Sequence, residues 1–259
     1  MEERKIAALA AKLFNAERSR QAVPPLTEEE PSLTADDAYR IQLVNVKRMV
    51  EMGHTVSGKK IGLTSEGIQK QLGVNEPDYG HLFAAMDCKN GSVNTAALLQ
   101  PKIEGEIAFV LKMDLAGGRV TRDDVVKAAD YVVAAFEIVD SRVAGWKIKL
   151  PDTVADNASS GRYMLGTRRL KLEEVDLPAV SMRLYKNGVP AGEGTGAAVL
   201  GDPCVSVAWL ANRLWSYGVT LKAGEVILSG AFSAAPPAVK GDVFVAEFSS
   251  LGNVEARFA

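Results

Sequence analysis

PKIEGEIAFVLK (101–112) reads as a β-strand, and it carries two glutamates, Glu104 and Glu106, beside the apolar run Ile107, Ala108, Phe109, Val110, Leu111. A strand alternates faces with period two, so both carboxylates point to the same side. Like charges side by side in an apolar strand repel, and ionised groups are costly to bury unpaired. Three arrangements resolve the conflict. The strand lies at an edge with both glutamates in water, one glutamate stays protonated, or a cation sits between them. For the last, a hard divalent ion with oxygen ligands is the simplest choice.

YVVAAFEIVDSR (131–142) is a second strand candidate, apolar for six residues before Glu137 stands between Phe136 and Ile138. Glutamate is almost never fully buried without a partner. Its partner is either a cation, Arg142 or Lys147 in a buried salt bridge, or a metal ion shared with Glu104 and Glu106. Three glutamates from two neighbouring strands would supply half of an octahedral oxygen shell, with water and a chelating substrate completing it.

At 259 residues and a formal net charge of −2, the chain is long enough for a sizeable core and gives no sign of a nucleic-acid partner. No stretch approaches the apolar length of a membrane helix. The N-terminus MEERKIAALAAKLFNAERSR is charged throughout, unlike a signal peptide, and reads as an amphipathic helix. Two cysteines, Cys88 and Cys204, make no disulfide framework; they are expected as reduced thiols of a cytoplasmic protein. With His54 and His81 the only histidines, a histidine zinc site or a Ser-His-Asp triad is poorly supplied, and no phosphate-binding glycine loop is present.

In chain order, helices are expected over 2–19 and from the cap Thr34 to about Met52, forming a small N-terminal helical region (1–55). A strand over 56–63 follows, in which Lys59 and Lys60 point to opposite faces, so one can face inward. Thr64-Ser65 caps a short helix over 66–72. Asp78 falls in a loop, 75–80, as a turn residue or a catalytic one. Asp156, Asn157 and Ser159 lie in a helical segment, 152–160, where ordinary capping competes with a site role. Asn187-Gly188 signals a hairpin, and Asp202-Pro203 opens a helix running to about Tyr217, with Trp209 and Trp215 as core candidates. Strands over 226–229, 243–248 and 254–258 close the chain. Without regular βα alternation, residues 56–259 read as a β-rich domain with a barrel-like mixed sheet, and the whole as α+β.

GKKIGLTS (58–65), NEPDYG (75–80), PKIEGEIAFVL (101–111), FEIVDSR (136–142), GWKIK (145–149), DTVADNAS (152–159), GAAVLG (196–201) and AGEVILSG (223–230), in this order over nearly the whole chain, resemble the 2-hydroxypenta-2,4-dienoate (2-oxopent-4-enoate) hydratases of bacterial aromatic meta-cleavage pathways. The related 4-oxalocrotonate decarboxylases share most of these motifs. The resemblance implies a fumarylacetoacetate hydrolase-like fold and a Mg2+ or Mn2+ ion held by Glu104, Glu106 and Glu137. It implies that Lys60 is the inward lysine, and that Asp78 and Ser159 are further active-site positions. It also implies a homo-oligomer, with association with a neighbouring pathway enzyme as a further expectation.

The expected substrate is a small 2-hydroxydienoate or 2-oxoenoate, chelating the metal through its carboxylate and 2-oxygen. Lys60, with a lowered pKa, would move protons to carbon, and Asp78 would handle the water. Leu63, Thr64, Ser65 and Ser159 are candidates for holding the carboxylate end. The product would be 4-hydroxy-2-oxopentanoate. A decarboxylase acting on 2-oxo-3-hexenedioate would use the same metal–enolate logic and want a far-end cation, for which Lys147, Lys149 and Arg162 are candidates. The aspartate of the EPDYG loop leans toward the hydratases. A C–C bond hydrolase or a non-catalytic relative of the same fold is the further alternative, although neither histidine sits in a His-Glu motif.

Overall fold

The computed structural model describes residues 1–65, 67, 69, 70, 73, 74 and 76–259. Its strands are β1 (Val56–Gly62), β2 (Asp78–Phe83), β3 (Ser92–Val93), β4 (Pro101–Leu111), β5 (Ala129–Asp140), β6 (Ser160–Leu165), β7 (Ser181–Lys186), β8 (Val189–Thr195), β9 (Val226–Ala231), β10 (Val243–Phe248) and β11 (Gly252–Phe258). They form a six-stranded sheet of order β2-β1-β9-β4-β5-β6 and a five-stranded sheet of order β3-β11-β10-β7-β8. Pairing is antiparallel except for β1 with β9 and β11 with β3. The mixed helix-and-sheet architecture is the α+β fold expected from the strand-rich pattern.

β4 and β5 are the long central pair, in register from Pro101↔Asp140 to Val110↔Tyr131 with a shift before Leu111↔Ala129, and with Glu104 directly opposite Glu137. Their alternation sorts residues between two environments. Ile103, Ile107 and Phe109 of β4, with Val132, Ala134, Phe136 and Ile138 of β5, enter the main core. That core is shared with the five-stranded sheet. Gly105 permits the close contact, since a Cβ there would lie 3.2 Å from Met182 Cε of β7. The opposite face carries the three glutamates, and next to them a smaller apolar cluster of Ala108, Val133, Ala135, Leu82, Tyr163 and Leu228.

This second face is concave. β1 is three strand spacings from β5, about 14 Å on a flat sheet, yet Lys60 Nζ of β1 comes within 3.4 Å of Glu137 Oε2 of β5. Only a sheet curled toward this face lets one lysine side chain span that gap.

Helices close the molecule at the β2 end. α1 (Glu3–Ser19) buries Ile6, Leu9, Ala10, Leu13 and Ala16 at three- and four-residue spacing, and the first four join the same core as the sheets. After α2 (Leu26–Glu29) comes α3 (Ala35–Glu51), which starts at Thr34, whose hydroxyl accepts from the Asp37 amide at 3.1 Å. α3 then sends Gln42 inward to donate to the carbonyls of Tyr79 (2.9 Å) and Val154 (2.7 Å). No helix among the described residues is long and apolar enough to cross a membrane.

The Asn187-Gly188 turn joins β7 to β8, and the three expected C-terminal strands are β9, β10 and β11. Two expectations differ. Asp78 opens β2 instead of sitting in a loop, because the turn-forming residues before it end where pairing with Gly62 begins. Trp215 is 44% exposed rather than core, at the end of the Pro203–Trp215 helix. The helix expected over 66–72 lies partly outside the described residues.

Candidate active site

Glu104, Glu106 and Glu137 converge on the concave face, with ligand oxygens within 4.8 Å of one another. Glu106 and Glu137 are fully buried, while Glu104 is half-buried and faces the opening. Glu106 Oε2 accepts from the Gly230 amide at 2.8 Å. Glu106 Oε1 and both Glu137 oxygens are buried without a hydrogen-bond partner. Buried carboxylate oxygens left unsatisfied are rare and destabilising. Here they point at one another, as the donor set for a hard divalent cation requires. The residues present fit such an ion. Without one, burial pushes Glu137 up to about 8, against the pull of Lys60. Burial and the neighbouring charges of Glu137 and Glu104 push Glu106 well above the carboxylate range.

Beside the cluster stand Lys60 and Asp78. Of the two lysines that alternation left open, Lys60 faces the glutamates, and Lys59 pairs instead with Glu225 at 2.7 Å. Lys60 Nζ lies 3.4 Å from Glu137 Oε2 and 3.8 Å from Asp78 Oδ1, and donates to the Ala158 carbonyl at 3.0 Å. Arg142, the rival partner for Glu137, pairs with buried Asp156. Burial pulls the Lys60 pKa down, but the charges of Glu137, Asp78, Glu104 and Glu106 outweigh it, and the ammonium is held above its ordinary value. The lowered value expected for Lys60 presupposed a cation next to it; the side chains alone supply four carboxylates.

Asp78 is fixed at one oxygen and open at the other. Thr153 Oγ1 donates to Oδ2 at 2.6 Å, whereas Oδ1, turned toward Lys60, has no hydrogen-bond partner. Gly62 makes this pairing possible. It sits opposite Asp78 in the β1–β2 ladder, and a Cβ there would lie 2.4 Å from Asp78 Oδ1 and 2.9 Å from Lys60 Nζ.

The carbonyl that steadies Lys60 comes from an arch in which Asn157, Ala158 and Ser159 all have left-handed φ, 55°, 49° and 53°. Such strain persists only where the surroundings enforce it. Asn157 clasps the His81 backbone, accepting from its amide at 2.7 Å and donating to its carbonyl at 2.9 Å. Gly80 lets β2 approach the arch, as its Cβ would lie 2.4 Å from the Asn157 carbonyl oxygen. The arch turns the Ser159 hydroxyl onto Asp156, at 3.4 Å, and away from the opening. His81 is buried against Gln42 and stacked on Tyr39; burial, aided by the Lys59 charge, pushes it down to about 3. It is a neutral structural histidine.

A cavity of about 320 Å³ opens from Glu104, walled by Leu63, Thr64, Ser65, Ala231, Trp146 and Ile148. Leu63, Thr64 and Ser65 thus line the opening, and Ser159 does not. The wall also holds Lys102, whose ammonium lies 4.3 Å from the Trp146 ring centroid. Lys147, Lys149 and Arg162, the far-end cations weighed above, are not among its lining residues. Lys102 shares strand parity with Glu104 and Glu106, a signal present in the sequence. Gly62 and Thr153 carried no such signal, since their roles depend on contacts between distant segments, whereas Asn157 stood out only as a capping or site candidate.

The curled sheet and the carboxylate cluster on its concave face place the chain in a known family of enzymes. Residues 85–259 match the family model described as fumarylacetoacetate (FAA) hydrolase, C-terminal, and the chain belongs to this family. It is 46% identical over 250 residues to 2-hydroxyhexa-2,4-dienoate hydratase of Comamonas testosteroni, covering 95% of both chains. It is 45% identical over 250 residues to 2-keto-4-pentenoate hydratase of Paraburkholderia xenovorans, covering 96% of this chain and 93% of that one. Among solved structures, 4-oxalocrotonate decarboxylase from Pseudomonas putida G7, complexed with magnesium and adipate, superposes with a TM-score of 0.96 at 39% identity, over 100% of this chain and 99% of that one.

Proposed function

We propose that this chain is a divalent-metal-dependent hydratase. It would convert 2-hydroxypenta-2,4-dienoate and water to 4-hydroxy-2-oxopentanoate in aromatic meta-cleavage catabolism. The observation that carries the reading is the Lys60–Asp78 pair beside three converging glutamates, two of which, Glu106 and Glu137, are fully buried with oxygens that lack a hydrogen-bond partner. Hydratases at 45–46% identity over nearly the full chain support it.

Glu104, Glu106 and Glu137 would hold Mg2+ or Mn2+, which when bound supplies Lewis acidity toward a 2-oxo acid. Lys60 Nζ, anchored by the Ala158 carbonyl, delivers a proton to C5 as the 2-hydroxyl gives one up, so the dienol becomes the 2-oxo-3-enoate. Asp78 Oδ1, unpartnered and held in place through Thr153, then takes a proton from water as its oxygen bonds to C4. Asp78 then passes that proton to C3, which completes the addition and restores the carboxylate. Leu63, Thr64 and Ser65 wall the substrate and exclude bulk water. Ser159, through Asp156, positions the arch that carries the Ala158 carbonyl.

Decarboxylation of 2-oxo-3-hexenedioate is the second reading, favoured by the structural match to a decarboxylase. The test offers the two substrates separately with Mg2+ and then with chelator, products being identified by mass. Metal-dependent gain of water on the dienoate is expected. Metal-dependent CO2 loss from the dioate, with the dienoate untouched, would overturn the hydratase reading. Self-association is proposed as well, with light scattering as its check.

A further inference from the structure

The ammonium of Lys102 is strangely placed. It lies in the cavity wall one strand repeat outward of Glu104, on the same face, and among the described residues it makes neither a hydrogen bond nor an ion pair. Its neighbour is the Trp146 ring, 4.3 Å away. A cation on an aromatic face is attracted by the ring but keeps its three N–H donors free for another acceptor.

That ring is a built feature. Gly145 and Trp146 both have left-handed φ, 63° and 57°, a conformation that a bulky residue such as tryptophan adopts only under constraint. Gln100 enforces it from β4's leading edge. Its side-chain oxygen accepts from the Gly145 amide at 3.1 Å, and its backbone carbonyl accepts from Trp146 Nε1 at 3.0 Å. Strain held in place by specific bonds points to a use for the side chain it positions.

The two lysines meet the carboxylate cluster at different members. Lys60 and Asp78 lie on the Glu137 side, deep in the face, and Lys102 lies on the Glu104 side, toward the opening. A 2-oxo acid reacts at C3 to C5, so its tail must reach Lys60 and Asp78. Its head, the C1 carboxylate, then lies toward Glu104 and the opening. We propose that Lys102, seated on Trp146, is the specificity residue that takes a C1 carboxylate oxygen of the 2-oxo acid. This rests on the reading above for the direction of the substrate, but the contact itself needs only a 2-oxo carboxylate and the loaded site.

Pyruvate is the probe, titrated by calorimetry into Mg2+-loaded protein, alongside adipate. Lys102→Met keeps the stem and removes the charge. Loss of a charge-assisted hydrogen bond should weaken pyruvate by about 10- to 50-fold, with Mg2+ binding retained. Lys102→Arg should recover most of the affinity. In turnover, Lys102→Met should raise KM and leave kcat nearly unchanged. Trp146→Leu should give a smaller loss of the same kind. Pyruvate bound equally by wild type and Lys102→Met would overturn the proposal. So would a loss confined to adipate, which would make Lys102 a reader of the far end. If the dienoate is not a substrate but pyruvate binding still depends on Lys102, the hydratase reading fails and this assignment stands.

Discussion

The two faces of β4 differ as sharply as two proteins. One presents Ile103, Ile107 and Phe109 to the main core, where they pack among other apolar side chains. The other presents Lys102, Glu104 and Glu106, where three carboxylates crowd and several oxygens lack partners. The first face stabilises the fold. The second opposes it and is held in place by the first; in the proposed metal centre a bound cation turns its repulsion into binding. Stability and function therefore alternate residue by residue along a single strand.

That separation can be broken by substitution on each face. The largest expected effect is Glu137→Gln, which removes a ligand oxygen and the closest carboxylate to Lys60. Turnover should fall about 10³- to 10⁴-fold, while the metal-free protein melts no lower than wild type, because Gln keeps the volume of a carboxyl whose charged form burial already disfavours. A large loss of melting temperature would contradict the division. On the other face, Phe109→Ala should cost about 3–5 kcal/mol of unfolding free energy, roughly a 10 °C drop in Tm. Each folded molecule should keep near-normal turnover. Activity lost at temperatures where the variant is fully folded would mean the faces are coupled.

Gly62→Ala sharpens the comparison within the site, since the added methyl would collide with the Asp78 carboxylate and reach Lys60. A fall of about 10²-fold in kcat with unchanged Mg2+ affinity is expected. Weakened Mg2+ binding would show that the pair and the glutamates are not separable. The smallest effect is a pH dependence outside both faces. His81 is neutral in the fold, pushed down to about 3 from 6.5, so the unfolded chain binds the extra proton between those values. Its contribution is fully present above pH 6.5 and is lost as pH falls. From pH 7 to 5, wild type should lose about 2 kcal/mol more unfolding free energy than His81→Gln; equal slopes in urea titrations at the two pH values would refute it.

Whatever followed from strand periodicity was legible in the sequence. Shared parity put Glu104 and Glu106 on one face, and Glu137 stood out in its apolar run. Parity said that Lys59 and Lys60 diverge, but which one faces inward depends on the curl of the sheet, a property of the whole fold. Asp78 looked like a loop residue because Asn75, Glu76 and Pro77 are turn formers; pairing with β1 makes it the first strand residue. Ser159 pointed elsewhere than expected because three successive left-handed residues rotate it onto Asp156. Lys102 had the right parity all along, but its aromatic seat depends on a left-handed tryptophan that no pattern announces.

Calorimetric titration of Mg2+ into metal-free wild type and Glu106→Gln tests the central claim most directly. One saturable site in wild type, weakened at least about 10²-fold in the variant, is expected if the second face of β4 is a metal centre. Equal binding in both proteins, or none in wild type, would contradict it.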